Sequence, residues 1–271
     1  MIRFLFAFLA VCFAVDAGAG TLEIGGDFTQ GGMVQGRTDP GAEVRLGKQA
    51  VRVSPDGRFV FGFGRDHGPS VELTVRYPGG GGETRALSIK PRDYRIQRID
   101  GLPKRKVTPN QDDLKRIRAE NKRIAEVRAL DTPETLFAGD WIWPTRGRIS
   151  GVYGSQRILN GEPRRPHYGI DIAAPAGDPV VAPAPGIVRM AERDLFFTGG
   201  TVMLDHGHGV TSVYSHLKDV TVAVGEKVGV GDKIGTVGST GRSTGPHLDW
   251  RINWFRERLD PALLVGPMPN S

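Results

Sequence analysis

Apolar and polar residues alternate with a period of two along most of the chain, in runs too short for helices. Between residues 20 and 91 the clearest runs are Ala42–Leu46, Arg58–Phe63 and Val71–Tyr77. Turn chemistry separates them: Asp39-Pro40-Gly41, Ser54-Pro55-Asp56-Gly57, and Pro78 followed by four glycines. Period-two runs at this spacing predict half-buried strands, so residues 20–91 read as a small, immunoglobulin-like β-sandwich. It holds a single histidine, His67, and no cluster of metal ligands, which suits a spacer or docking module. The period then lengthens. Leu114, Ile117, Ile124 and Val127 recur at helical spacing among charged residues, with Asn110 as N-cap behind Pro109. This predicts an amphipathic helix over 112–129 inside a linker of 92–137, its apolar stripe laid on one of the domains. Asn121 and Arg128 interrupt any heptad seam. From 138 to 266 the chain returns to strands and glycine turns, an all-β domain, and 267–271 is a tail.

The first residues differ from all of this. Met1–Val15 carries Arg3 and then an unbroken apolar run, ending at Asp16 and followed by Ala17-Gly18-Ala19. A short positive region, an apolar core and a small-residue exit predict a secretory signal peptide over 1–19. The run is too short for the roughly 20 residues that cross a bilayer. The expected location is therefore outside the cytoplasm, in the periplasm or cell envelope. Cys12, the one cysteine of the 271 residues, falls in that segment. The rest of the chain cannot build a disulfide framework, a four-cysteine zinc site or a CxxC redox pair. The net charge of +6 is local: residues 92–128 hold 12 lysines and arginines against 6 aspartates and glutamates. The flanking regions together are neutral. Such a strip can make weak, salt-sensitive contact with an anionic envelope surface or remain a solvated face. Nucleic acid is not an expected partner, because no aromatic–basic interleaving of a stacking platform is present. Oligomeric state is not indicated.

Five of the six histidines lie in 138–266. His167-Tyr168-Gly169-Ile170-Asp171 has an H-x-x-x-D spacing, and Gly169, Ile172 and Pro175 argue against a helix there. The chain must therefore bend near Gly169 for the two side chains to converge. His216 ends the apolar alternation of Val210–Tyr214, and His247 and Asp249 stand two apart in a predicted strand, on one face. Imidazoles and carboxylates from separate strands suit zinc, which takes three protein ligands and leaves a fourth position open.

In this order, with Ser243-Thr244-Gly245-Pro246 before His247, the residues resemble the lysostaphin and β-lytic metallopeptidase family of zinc endopeptidases, which cut peptides of bacterial peptidoglycan. The resemblance spans about Trp143 to Pro261 and includes Gly151-Val152-Tyr153-Gly154 and Ala173–Val180. It implies a mainly β chain whose antiparallel, lysostaphin-type catalytic domain follows the small sandwich and linker helix. It implies one zinc ion on His167, Asp171 and Asp249, with His216 and His247 as catalytic histidines, and peptidoglycan peptides as substrate. Asp249 departs from the family, which has histidine there. A carboxylate binds zinc as well, but a second anionic ligand lowers the metal's residual charge and its power to acidify water. Activity is then expected toward neutral or alkaline pH. His206 and His208 are assigned structural roles. GEKVGVGDKIG over 225–235 and the run at 182–188 resemble carrier-domain half-motifs, but no modifiable lysine follows Val188, so carrier function is rejected. The rival within the family is a non-catalytic member that binds and activates a cell-wall amidase.

Overall fold

The computed structural model describes residues 20–102 and 104–269. The expected signal peptide, with Cys12, lies outside the described residues. The chain is mainly β, as expected. Seven strands come first: β1 (Leu22–Gly26), β2 (Met33–Thr38), β3 (Glu43–Leu46), β4 (Gln49–Val51), β5 (Arg58–Gly62), β6 (Ser70–Arg76) and β7 (Gly82–Ser88). They form two antiparallel sheets, ordered β1-β2-β5 and β4-β3-β6-β7. Alternation works as read: in β6, Leu73 and Val75 are buried while Glu72 and Arg76 face out. In β5, by contrast, Phe59, Val60 and Phe61 are buried consecutively. Both faces of this strand are covered, because the sheet also packs on the second domain. A Cβ at Gly62 would meet the Leu259 side chain at 2.6 Å.

The connector carries β8 (Ile96–Ile99), the short α1 (Lys104–Val107) and the long α2 (Gln111–Arg128). Helix α2 opens with a capping box: the Asn110 side chain accepts from the Asp113 N–H, and Asp113 accepts from the Asn110 N–H. Ile117 and Val127 are buried, and Val127 and Ile124 pack on Met190, Met203 and Val213 of the second domain. Arg116 and Arg123 reach Asp194 and Glu192 of that domain, so part of the basic strip is neutralised internally.

The second domain contains β9 (Arg148–Gly151), β10 (Gln156–Leu159), β11 (Glu162–Pro163), β12 (Ile170–Ala173), β13 (Pro179–Val181), β14 (Gly186–Leu195) and β15 (Gly199–Gly207). It continues with β16 (Val210–Leu217), β17 (Asp219–Val220), β18 (Lys227–Val228), β19 (Lys233–Thr236), β20 (Leu248–Trp254) and β21 (Glu257–Leu259). Its main sheet runs β18-β14-β15-β16-β20-β12-β9, with β21 on β20, and a small sheet β13-β19-β17 lies beside it. Strands β15 and β16 are buried along their whole length. Strand β8, read as linker, pairs in parallel with β10 and so joins this domain's own sheet structure.

His206 on β15 is a fully satisfied buried histidine. Its Nδ1 lies 2.6 Å from the Pro185 carbonyl and its Nε2 2.8 Å from the Ser212 hydroxyl, which itself accepts from the Tyr214 hydroxyl. Nδ1 therefore donates and Nε2 accepts, and burial pushes the ring down to about 4. The unfolded chain then binds one more proton than the folded one between about pH 6.5 and 4, so acidification through that window destabilises the fold. The His206 share of the loss is expected to reach roughly 3 kcal/mol by pH 4, at ~1.4 kcal/mol per unit. Thermal unfolding of wild type and His206→Gln across pH 4–7 measures it. The variant should show the shallower acid slope.

Candidate metal centre

Three neighbouring strands build the site by register. Asp171 on β12 lies directly opposite Asp249 on β20, and Asp249 lies opposite Ser215 on β16. His167 precedes β12, beyond a bend at Gly169, where the sequence required one. One ligand atom each from His167, Asp171 and Asp249 lies within 4.8 Å of the others. His167 Nε2 is 3.1 Å from Asp171 Oδ1.

Regular alternation would turn His216 away from Ser215, to the wrong face. Two irregularities re-aim it. The β15–β16 register shifts between Gly200 and Val202, which pair with Leu217 and Tyr214, and His216 itself has φ +66°. A bulge and a left-handed residue together redirect one side chain, at some backbone strain. His216 and His247 then face each other with ring centroids 4.7 Å apart. His216 Nδ1 donates to the Thr240 carbonyl at 2.7 Å, and His247 Nδ1 to the Gly245 carbonyl at 2.8 Å. Both Nε2 atoms are thereby left available. His247 Nε2 lies 3.9 Å from Asp171 Oδ1. Burial, then the nearby His247, pushes His216 down to about 4, so it is neutral at ordinary pH.

The donor set meets a chemical test for a cation. Both ring nitrogens of His167 and Asp171 Oδ1 are buried and make no hydrogen bond. Buried polar atoms are normally paired, and these orphans converge. Asp171 Oδ2 is held by Arg157. Burial alone would raise the Asp171 carboxyl, but His167 and Arg157 outweigh it and keep it below the usual carboxylate range. Asp249 accepts from Arg251 Nε at 2.8 Å and from a terminal guanidinium nitrogen at 2.5 Å. Arg251 in the same way overrides burial and holds the Asp249 carboxyl well down. Each carboxylate oxygen retains a lone pair beyond the one its arginine uses. The residues therefore fit a divalent metal held by one imidazole and two carboxylates.

The site opens into a cleft of about 330 Å³ that includes Asp171, His216 and His247 on one side and Gln97, Ile99 and Leu102 on another. The latter come from β8 and the residues after it, so the connector forms part of the cleft wall. Of the residues singled out in the sequence, the structure gathers His167, Asp171, Asp249, His216 and His247. His206 and His208 stand apart, His208 against the Phe137 ring. The sequence reading missed Arg157, Arg251 and the β8 wall. Arg251 had a legible signal, since it stands two residues beyond Asp249 on the same strand face. Arg157 and β8 had none, because both depend on long-range pairing.

This is an antiparallel β domain with an imidazole–carboxylate centre at the mouth of a cleft. Residues 165–261, about a third of the chain, match Peptidase family M23, and the chain carries an M23 peptidase domain there. A stretch of 122 residues is 40% identical to the DD-carboxypeptidase/endopeptidase Mpg of Neisseria meningitidis, covering 45% of this chain and 28% of that protein. A stretch of 109 residues is 39% identical to the peptidoglycan DD-endopeptidase ShyA of Vibrio cholerae, covering 40% of this chain and 25% of that protein. The chain thus matches only about a quarter of the length of these relatives. A peptidase M23 candidate from Pseudomonas aeruginosa, known by its crystal structure, shares the fold over 88% of this chain and 95% of its own, with 29% identity and a TM-score of 0.68. The expectation of a lysostaphin-type domain holds.

Gly151 explains how the Asp171 carboxylate fits. It lies opposite Asp171 in register, and a Cβ there would stand 2.3 Å from Asp171 Oδ2. Gly151→Ala should displace that carboxylate from Arg157 and cost about 1–3 kcal/mol. Thermal unfolding with a parallel zinc titration should show both a lower Tm and weaker metal binding.

Proposed function

We propose that the chain is an exported zinc metalloendopeptidase acting on the peptides of peptidoglycan. The observation that carries this reading is the convergence of orphaned, buried His167 and Asp171 atoms with Asp249, beside two histidines whose Nε2 atoms are free. The names of the relatives, a DD-carboxypeptidase/endopeptidase and a peptidoglycan DD-endopeptidase, support the substrate class. Export rests on the amino-terminal pattern of Arg3, apolar run and small-residue exit.

His167, Asp171 and Asp249 would hold the ion. When bound, zinc supplies Lewis acidity that polarises the scissile carbonyl and makes a nearby water easier to deprotonate. The protein's own groups divide the rest. His216, neutral and buried with Nε2 free, accepts a proton from the attacking water. His247 is less buried and its Nε2 points toward the same centre, where in its protonated form it donates to the developing oxyanion. Arg157 fixes the Asp171 carboxylate so that Oδ1 stays directed at the site.

Digestion of purified sacculi tests the reading. Soluble peptide fragments should be released, release should stop with a chelator, and zinc should restore it. His216→Ala should slow release at least ~100-fold while bound zinc stays stoichiometric. Intact sacculi together with a protein devoid of zinc would instead favour the non-catalytic, amidase-activating reading.

A further inference from the structure

Asp249 does not act as an ordinary anionic ligand. It is almost fully buried, and its two oxygens receive two hydrogen bonds from one residue, Arg251, at 2.8 and 2.5 Å. A bidentate guanidinium–carboxylate pair is rigid, directional and formally neutral. The two side chains share a strand face, and between them Trp250 turns the other way into the core, against Trp143. The opposite wall is cut to fit. A Cβ at Gly169 would stand 2.4 Å from the Trp250 carbonyl oxygen, 2.5 Å from Arg251 Cγ and 3.0 Å from Asp249 Oδ1. The absence of a side chain at the bend between His167 and Asp171 thus makes room for the β20 backbone and for the arginine stem.

We propose that Asp249 and Arg251 function as one unit, a charge-neutral replacement for a histidine ligand, with Arg251 as the positioning residue that sets the charge of the metal centre. This rests on the zinc-site reading above. The unit presents carboxylate lone pairs to the metal while adding no net charge, as a neutral imidazole would. It removes the premise for a weakened, alkaline-shifted site, because the second negative charge is cancelled where it arises. It also makes either half harmful alone. A histidine at 249 leaves the Arg251 cation unpaired beside a divalent ion, and a neutral residue at 251 leaves an extra anion.

The test is a double-mutant cycle on the full chain, read as zinc affinity by competition with a chromophoric chelator at fixed pH, with thermal unfolding as the check on folding. Asp249→His alone should weaken zinc binding at least tenfold. In an Arg251→Gln background the same substitution should change affinity less than threefold. Arg251→Lys, which keeps the charge without the fork, should stay within about threefold of wild type. Supporting outcomes are this tenfold-against-threefold contrast and the Lys result. An additive cycle in a wild type that binds zinc overturns the paired unit and leaves the metal-centre reading standing, as does an Arg251→Lys variant that behaves like Arg251→Gln. A wild type that binds no zinc overturns both.

Discussion

The arrangement of this protein depends on the register of three adjacent strands. β12, β20 and β16 place Asp171, Asp249 and Ser215 in a row across the sheet, within reach of His167 and next to His216. A slip of one residue in β20 would bury Asp249 among the tryptophans and turn Trp250 into the site. Register is held against that slip by Trp250, Ile252 and Trp254, which are buried, and by the fully buried neighbour β16. Core packing and site geometry are thus one constraint. The same hydrophobic alternation that makes β20 a strand fixes which side its ligand faces.

Five histidine and carboxylate groups cluster here, four buried and His247 half-buried, yet buried polar groups differ sharply in how they are satisfied. His206 has both nitrogens engaged and belongs to the scaffold. His167 has neither nitrogen in a hydrogen bond, and its Nε2 faces Asp171 Oδ1, which has none either, at 3.1 Å. Hydrogen-bond accounting therefore separates a structural histidine from a ligand on the same domain. The two arginines matter in the same accounting. Arg157 and Arg251 offset the desolvation of the carboxylates they touch, since an unpaired buried charge is costly.

Much of this was legible in the sequence, and for physical reasons. Strand alternation, glycine turns, the Asn110 cap and the bend at Gly169 are local, so composition and spacing report them. The helix extends over Gln111–Arg128 against an expected 112–129, and it docks where its apolar stripe demands. The site residues were legible as a set because their motifs are short and ordered. What escaped was non-local. The bulge and left-handed backbone that re-aim His216 arise from pairing with β15, and Arg157 meets Asp171 across a loop. The continuous burial of β5 escaped because the alternation rule assumes one solvent face, and that strand has none.

The parallel pairing of β8 with β10 has a consequence for how this architecture can be recombined. Residues 96–99 precede the site by some seventy positions in sequence yet supply part of its cleft, and α2 covers Met203 and Val213 of the main sheet. A graft cut at the start of the M23 match would lose β8, β9 and β10 together, with Arg157 among them, and would leave Met203 and Val213 without their cover. The heritable unit is therefore longer than the motif-bearing segment. A seam between the last strand of the sandwich and Ile96 keeps the β8 wall of the cleft, while the replacement module must still cover Leu259, which packs on Gly62 of β5.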